Sequence, residues 1–258
     1  MFDEDLVYFV KSESSDSSSS FWQDIKDSFT GTFITENRYE LFIEGFLCTL
    51  QIMLAAVIAG TLLGFGLFLL YRKKVPGSRI LIQIFNAFMD ATPMVVMLMI
   101  FYYIVFSKTS ITNTWVACLC FSMVFASSVF GMLKSSVGAI GQGQYEAAIA
   151  LGYTDSRAFM TMILPQALRI MLPGYRADII AMLKSTAIVG YIAVMDLTKV
   201  TDIIRSRTYD AFFPLISAAV IYYLMILALS LCISWITARL DPSKRSRSRI
   251  LKGVRIDD

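Results

Sequence analysis

Few residues in this chain are equipped for chemistry, and several of them sit in segments that exclude water. Asp90 is the only charge in the 27 residues Ile80–Phe106, and Lys184 shares the 23 residues Pro173–Met195 with Arg176 and Asp178. Ionisable groups inside apolar segments are costly and by default mark a substrate path. A carboxylate and an ammonium suit the amino and carboxyl groups of a zwitterionic solute; equally, Asp90 and Lys184 can pair with each other as a structural bridge. Thr92, Ser127, Ser128, Ser185 and Thr186 add neutral donors and acceptors along the same segments. Together these residues form the candidate substrate path.

Other chemistries lack their residues. The chain has no histidine, so His-based acid–base or triad catalysis has no candidate. Cys48, Cys118, Cys120 and Cys232 all fall in apolar runs, where a thiol behaves as a small hydrophobe. Neither a disulfide framework nor a metal site is expected. No Gly-x-x-x-x-Gly-Lys-Ser/Thr phosphate loop occurs, so no nucleotide site and no catalytic residue is expected on this chain.

The elements that hold these residues must be membrane helices. The composition is 56% hydrophobic and 17% charged, against about 25% charged for a soluble domain, and the mean hydropathy is +0.63. A helix needs about 20 apolar residues to cross a hydrocarbon layer of about 30 Å. Phe46–Leu70, Ile111–Leu133 and Ala211–Ala238 carry no charge over 25, 23 and 28 residues, and Ile80–Phe106 carries only Asp90. Pro173–Met195 is weaker but completes a five-span, all-α topology. Pro93 removes a backbone hydrogen bond within the second run and is expected to kink it.

Five spans place the chain ends on opposite sides, and basic residues decide which is which. One side receives Arg72, Lys73, Lys74, Arg79, Lys134, Arg157, Arg169, Arg176, Arg239, Lys244, Arg245, Arg247, Arg249, Lys252 and Arg255. The other receives only Lys11, Lys26, Arg38, Lys108, Lys199, Arg205 and Arg207. The C-terminus is therefore expected in the cytoplasm and the N-terminus outside. The basic tail 241–258 fits this orientation and attraction to anionic headgroups rather than nucleic-acid binding.

Residues 1–20 are acidic and Ser-rich, as a flexible external tail would be. Over 21–42, Trp22, Ile25, Phe29 and Phe33 recur at helical spacing among charged residues, which predicts a short helix on the membrane surface. Gly60, Gly64, Gly66, Ala126 and Gly131 read as packing residues that let helices approach closely. The connection 134–178 is long for a link between spans. It reads as a helix over Gln144–Leu151, a stop at Gly152, a cap among Thr154, Asp155 and Ser156, and a second helix up to Leu164 and Pro165.

This connection carries a recognisable pattern. Glu146-Ala147-Ala148, three residues, Gly152, then Leu164-Pro165 resembles the cytoplasmic signature loop of bacterial ABC-importer permeases, with Met162 at that pattern's isoleucine position. Gly143-Gln144-Tyr145 before it, Gln166-Ala167-Leu168-Arg169 after it, Met182-Leu183-Lys184-Ser185-Thr186 and Asp196-Leu197-Thr198 resemble the polar amino acid branch, over about 43–240. Two places depart from that branch. Asp90-Ala91-Thr92-Pro93 stands where relatives often have Arg-Gly/Ser-Thr-Pro, and Gly131 where they often have glutamate.

The resemblance implies a multi-pass permease of the bacterial cell membrane that moves a polar amino acid by alternating access. It implies a second permease chain, identical or homologous, two ABC ATPase subunits that hold ATP and Mg, and an extracellular binding protein. Glu146, Ala147, Ala148, Gly152, Leu164 and Pro165 would then form the coupling helix and its support. The same machine carrying another small solute, or a membrane signalling or assembly component that docks a cytoplasmic partner, is the alternative.

Overall fold

The computed structural model describes residues 22–73 and 75–240. The expected tails 1–20 and 241–258 lie outside the described residues. All regular structure among the described residues is helical.

Residues 22–29 form a helical turn that runs through a π turn, Thr30–Ile34, and a 3-10 turn, Thr35–Asn37, into α1, Arg38–Arg72. Glu36 and Asn37 are left-handed, at φ 57° and 53°, and this breaks the axis. The expected surface segment 21–42 therefore includes the first turn of α1. Arg38 fixes the break by donating to Gly31 O at 2.6 Å and pairing with Glu36 at 3.2 Å.

The second apolar run is α2, Ser78–Ala91, followed by α3, Met94–Ile100, which ends in a π turn, Phe101–Val105. The two halves meet at 115°, far beyond the kink read from the sequence. Thr92 is extended, at φ −92° and ψ 126°, as a residue before proline prefers. Its amide and hydroxyl both donate to Phe88 O, at 3.2 and 2.7 Å, so α2 ends with its carbonyl satisfied.

Next come α4, Asn113–Gly138; α5, Gln142–Ala150; and α6, Asp155–Ala158. A π turn, Phe159–Ile163, joins α6 to α7, Leu164–Ser185, with 3-10 residues Thr186–Ile192 beyond it. Pro165 does not stop the helix, because it occupies the first turn of α7; a first-turn proline lacks only an amide that would be unpaired anyway. Finally α8 is Leu197–Thr208 and α9 is Phe212–Leu240. Three helices are long and apolar enough to cross a membrane, or up to five if each of two bent pairs counts as one span.

The core is built on the seam between α1 and α4, the most extensive helix pairing. A Cβ added at Gly60 would stand 2.8 Å from Ser122 O, and one at Gly64 would stand 2.5 Å from Ala126 O. Only glycine lets the two backbones come this close. Gly66 and Gly131, by contrast, face open space, so they are not packing residues within this chain. Phe121 and Phe125 of α4 are fully buried beside the seam, and Tyr175 of α7 shares a hydrogen bond of 2.7 Å with Thr61 of α1.

On the opposite end of the bundle, buried Asp196 caps α8 by accepting from the amides of Thr198 and Lys199 at 3.1 and 3.0 Å. Thr49 of α1 accepts from Leu197 N at 3.1 Å. The Asp196-Leu197-Thr198 motif is thus a helix cap docked on α1.

Candidate coupling hairpin and substrate path

The hairpin begins with α5 and turns at Gly152, whose φ of +85° is a left-handed conformation open to glycine. The amides of Leu151, Gly152 and Tyr153 return to Ala147, Ile149 and Ala148 carbonyls at 3.1, 2.9 and 3.2 Å, closing the helix end. Thr154 then takes the extended conformation of a cap residue before α6, without a side-chain capping bond. Ala148 and Ala158 are buried where α5 meets the second limb. Glu146, Ala147 and Gly152 face outward, and Leu151 is 72% exposed at the tip. Among the described residues no ion pair reaches Glu146.

The base of the hairpin is fastened to α1. Arg72 pairs with Asp155 at 2.5 Å and lays its guanidinium 4.2 Å from the centre of the Phe159 ring. Tyr145 donates its hydroxyl to the same Asp155 carboxylate. That hydrogen bond pushes the Tyr145 phenol above its ordinary pKa. Gln166 Nε2 donates to Gln144 Oε1 at 3.0 Å, bracing α5 against α7. Leu164 is half-buried and Pro165 is exposed in the first turn of α7. In the sequence Arg72 counts only toward the orientation of the chain and Asp155 only as one of three cap candidates. Nothing in a linear pattern joins residues so far apart.

The candidate path residues divide into two groups. Ser127 of α4 is buried, with Oγ 2.7 Å from Asn86 Oδ1 and 3.0 Å from Asp90 Oδ1, both on α2. One hydroxyl proton cannot serve two acceptors, and Asn86 Nδ2 has no partner in this orientation. The coherent assignment exchanges the ends of the Asn86 amide, so that its NH2 donates to Ser127 and Ser127 donates to the Asp90 carboxylate. Ser128, the next residue of α4, donates to Asp178 of α7. Adjacent serines therefore hold carboxylates from two different helices. Asn86 was missed in the sequence; its spacing of one helical turn before Asp90 was the available signal.

The second group is spent locally. Thr92 donates to Phe88 O, Ser185 to Ala181 O at 2.9 Å and Thr186 to Leu183 O at 2.7 Å. Lys184 is exposed, and among the described residues no ion pair joins it to Asp90. The structural bridge between Asp90 and Lys184 is absent from this arrangement. No group of three or more His, Cys, Asp or Glu is placed to hold a metal among the described residues.

Comparison with known proteins follows this geometry closely. Residues 56–246 match the family model described as binding-protein-dependent transport system inner membrane component. The chain belongs to that family. It is therefore a permease component of a transport system, and the matched region includes α4, the hairpin and α7. One relative is the arginine transport system permease protein ArtQ of Bacillus subtilis, 32% identical over 193 residues, 73% of this chain and 87% of that one. Another is the putative glutamine transport system permease protein GlnP of Rickettsia bellii, 30% identical over 192 residues with the same coverage. Among solved structures, a chain titled as an amino acid ABC transporter with histidines matches at a TM-score of 0.71 and 31% identity. The match covers 80% of this chain and 98% of that one. An inward-facing MetNI methionine ABC transporter chain matches at a TM-score of 0.64 and 19% identity, which establishes likeness of fold.

Proposed function

We propose that this chain is the membrane-spanning subunit of an ATP-driven importer for a polar amino acid. The observation that carries this reading is the hairpin: a braced base at Arg72 and Asp155, with Glu146, Ala147 and the Gly152 turn turned outward and no ion pair to Glu146 among the described residues. Such a shape suits a rigid lever docked in a separate ATPase, which would bind the ATP and Mg. Relatives named for arginine and glutamine transport support an amino acid as cargo.

In this reading each bent pair counts as one span, giving five, with the N-terminus outside and the C-terminus in the cytoplasm. A second permease chain completes the path, two ATPase subunits engage the hairpins, and an extracellular binding protein delivers the solute. Closure of the ATPase pair moves the hairpins and opens the bundle outward. Asp90, held by Ser127, lies along the path as the group that meets the solute's cationic end; Lys184 meets its carboxylate. No covalent step occurs on this chain.

The test is reconstitution of the permease with its ATPase in vesicles supplied with loaded binding protein. ATP-dependent accumulation of a polar amino acid is the expected result. ATP hydrolysis without accumulation of any amino acid tested would overturn the assignment.

A further inference from the structure

The ends of α1, α2 and α4 enclose, with the base of the hairpin, a groove of about 560 Å³ in which the coupling reading leaves Arg79 and Lys134 without a role. Its polar wall carries Arg72, Arg79 and Lys134, against one carboxylate among the described residues, Asp155. Asp155 is engaged by Arg72. Arg79 and Lys134 have no carboxylate partner among the described residues; instead both lie over the same ring, Tyr71, at 5.1 and 5.3 Å from its centre. Arg79 is further fixed by donating to Tyr71 O at 3.2 Å. Both cations line the groove without a carboxylate, so an anion entering it would be attracted by both. The rest of the lining mixes the polar Gln142 and Tyr145 with apolar residues, of which Val137 and Ile140 are half-buried and Phe68 and Ile163 belong to the core.

A groove whose lining is both cationic and partly apolar matches an amphiphile with an anionic head. The geometry points to a binding site for the phosphate of an anionic phospholipid, with Arg79 and Lys134 on the phosphate and an acyl chain along the half-buried Val137 and Ile140. Free phosphate would gain the charges but leave Val137 and Ile140 uncovered, which favours the lipid. The site has a further property: Tyr145 and Asp155 belong to the hairpin, whereas Arg79 and Lys134 belong to the bundle. The lipid therefore bridges the lever to its frame, and its phosphate competes with Asp155 for Arg72. Placing the groove at the cytoplasmic leaflet rests on the five-span orientation proposed above.

The experiment compares the permease with a double variant, Arg79→Gln with Lys134→Gln, in nanodiscs of phosphatidylcholine with and without phosphatidylglycerol. Native mass spectrometry of the permease alone reads retained lipid, and it does not depend on transport. With about a fivefold change in affinity for each basic residue at an anionic surface, the variant should retain phosphatidylglycerol about 25-fold more weakly than the original chain. In the complete complex reconstituted in vesicles of the same two compositions, phosphatidylglycerol should change uptake by the original chain and leave the variant unmoved. Equal retention of phosphatidylglycerol by both chains overturns the site. So does an effect of inorganic phosphate, in phosphatidylcholine alone, as large as that of the lipid. Selective retention in a complex that imports nothing would leave the site standing and remove the transport reading instead.

Discussion

Arg72 at the end of α1 grips Asp155 at 2.5 Å across 83 residues of sequence. This pair, with Tyr145 on the same carboxylate, makes the hairpin an extension of α1 rather than a loose connection. Because the pair is largely exposed on the Asp155 side, its energy is modest, about 1 kcal/mol or less. Its value is geometric. Asp155→Asn should leave insertion intact, reduce uptake several-fold and reduce the ATPase stimulation that binding protein produces. A charge exchange, Arg72→Asp with Asp155→Arg, should recover part of the loss; uptake identical in the original and Asp155→Asn chains would remove the anchor from the mechanism.

The outward face of α5 makes a second prediction. Glu146→Lys reverses a charge that has no intrachain ion-pair partner among the described residues, so folding should be unchanged while co-purification with the ATPase falls. Gly152→Val places a β-branched residue at φ +85°, costing on the order of 1–3 kcal/mol locally. It should loosen the turn and uncouple hydrolysis from uptake. Normal assembly and uptake in both variants would show that the hairpin packs only on its own chain.

The glycine seam gives a stability test with its own control. Gly64→Ala drives a methyl to 2.5 Å from Ala126 O, which forces the backbones apart and should cost about 1–3 kcal/mol. Gly66→Ala, two residues away and facing open space, should be nearly neutral. Thermal unfolding in detergent reads the difference, and equal melting of the two variants would contradict the seam.

Asp90→Asn keeps the shape of the Ser127 network and removes its charge. Complex assembly should be retained, while uptake shifts between cationic and neutral amino acids in competition assays. An unaltered profile would assign Asp90 to helix packing.

The parts of this fold that were legible in the sequence are those set by local chemistry. Uncharged runs marked the apolar helices, and Gly152 marked the hairpin turn because a left-handed residue there favours glycine. What escaped was set by long-range geometry. The size of the bend at Pro93 depends on how Thr92 closes α2, and the continuation of α7 through Pro165 depends on the turn before it. The candidate path was half legible: Asp90 announced itself by being charged in an apolar run. Its partner Asn86, and the division of Ser127 and Ser128 between α2 and α7, depend on which way each helix faces.

The glycine seam has a mechanical consequence. Two helices packed backbone to backbone at Gly60 and Gly64 leave no room between them for even a methyl group. In the proposed transport cycle they would move as one stiff plank, with the rest of the bundle swinging around it. The elbow at Pro93 and the lightly buried α9 would then be the members that swing.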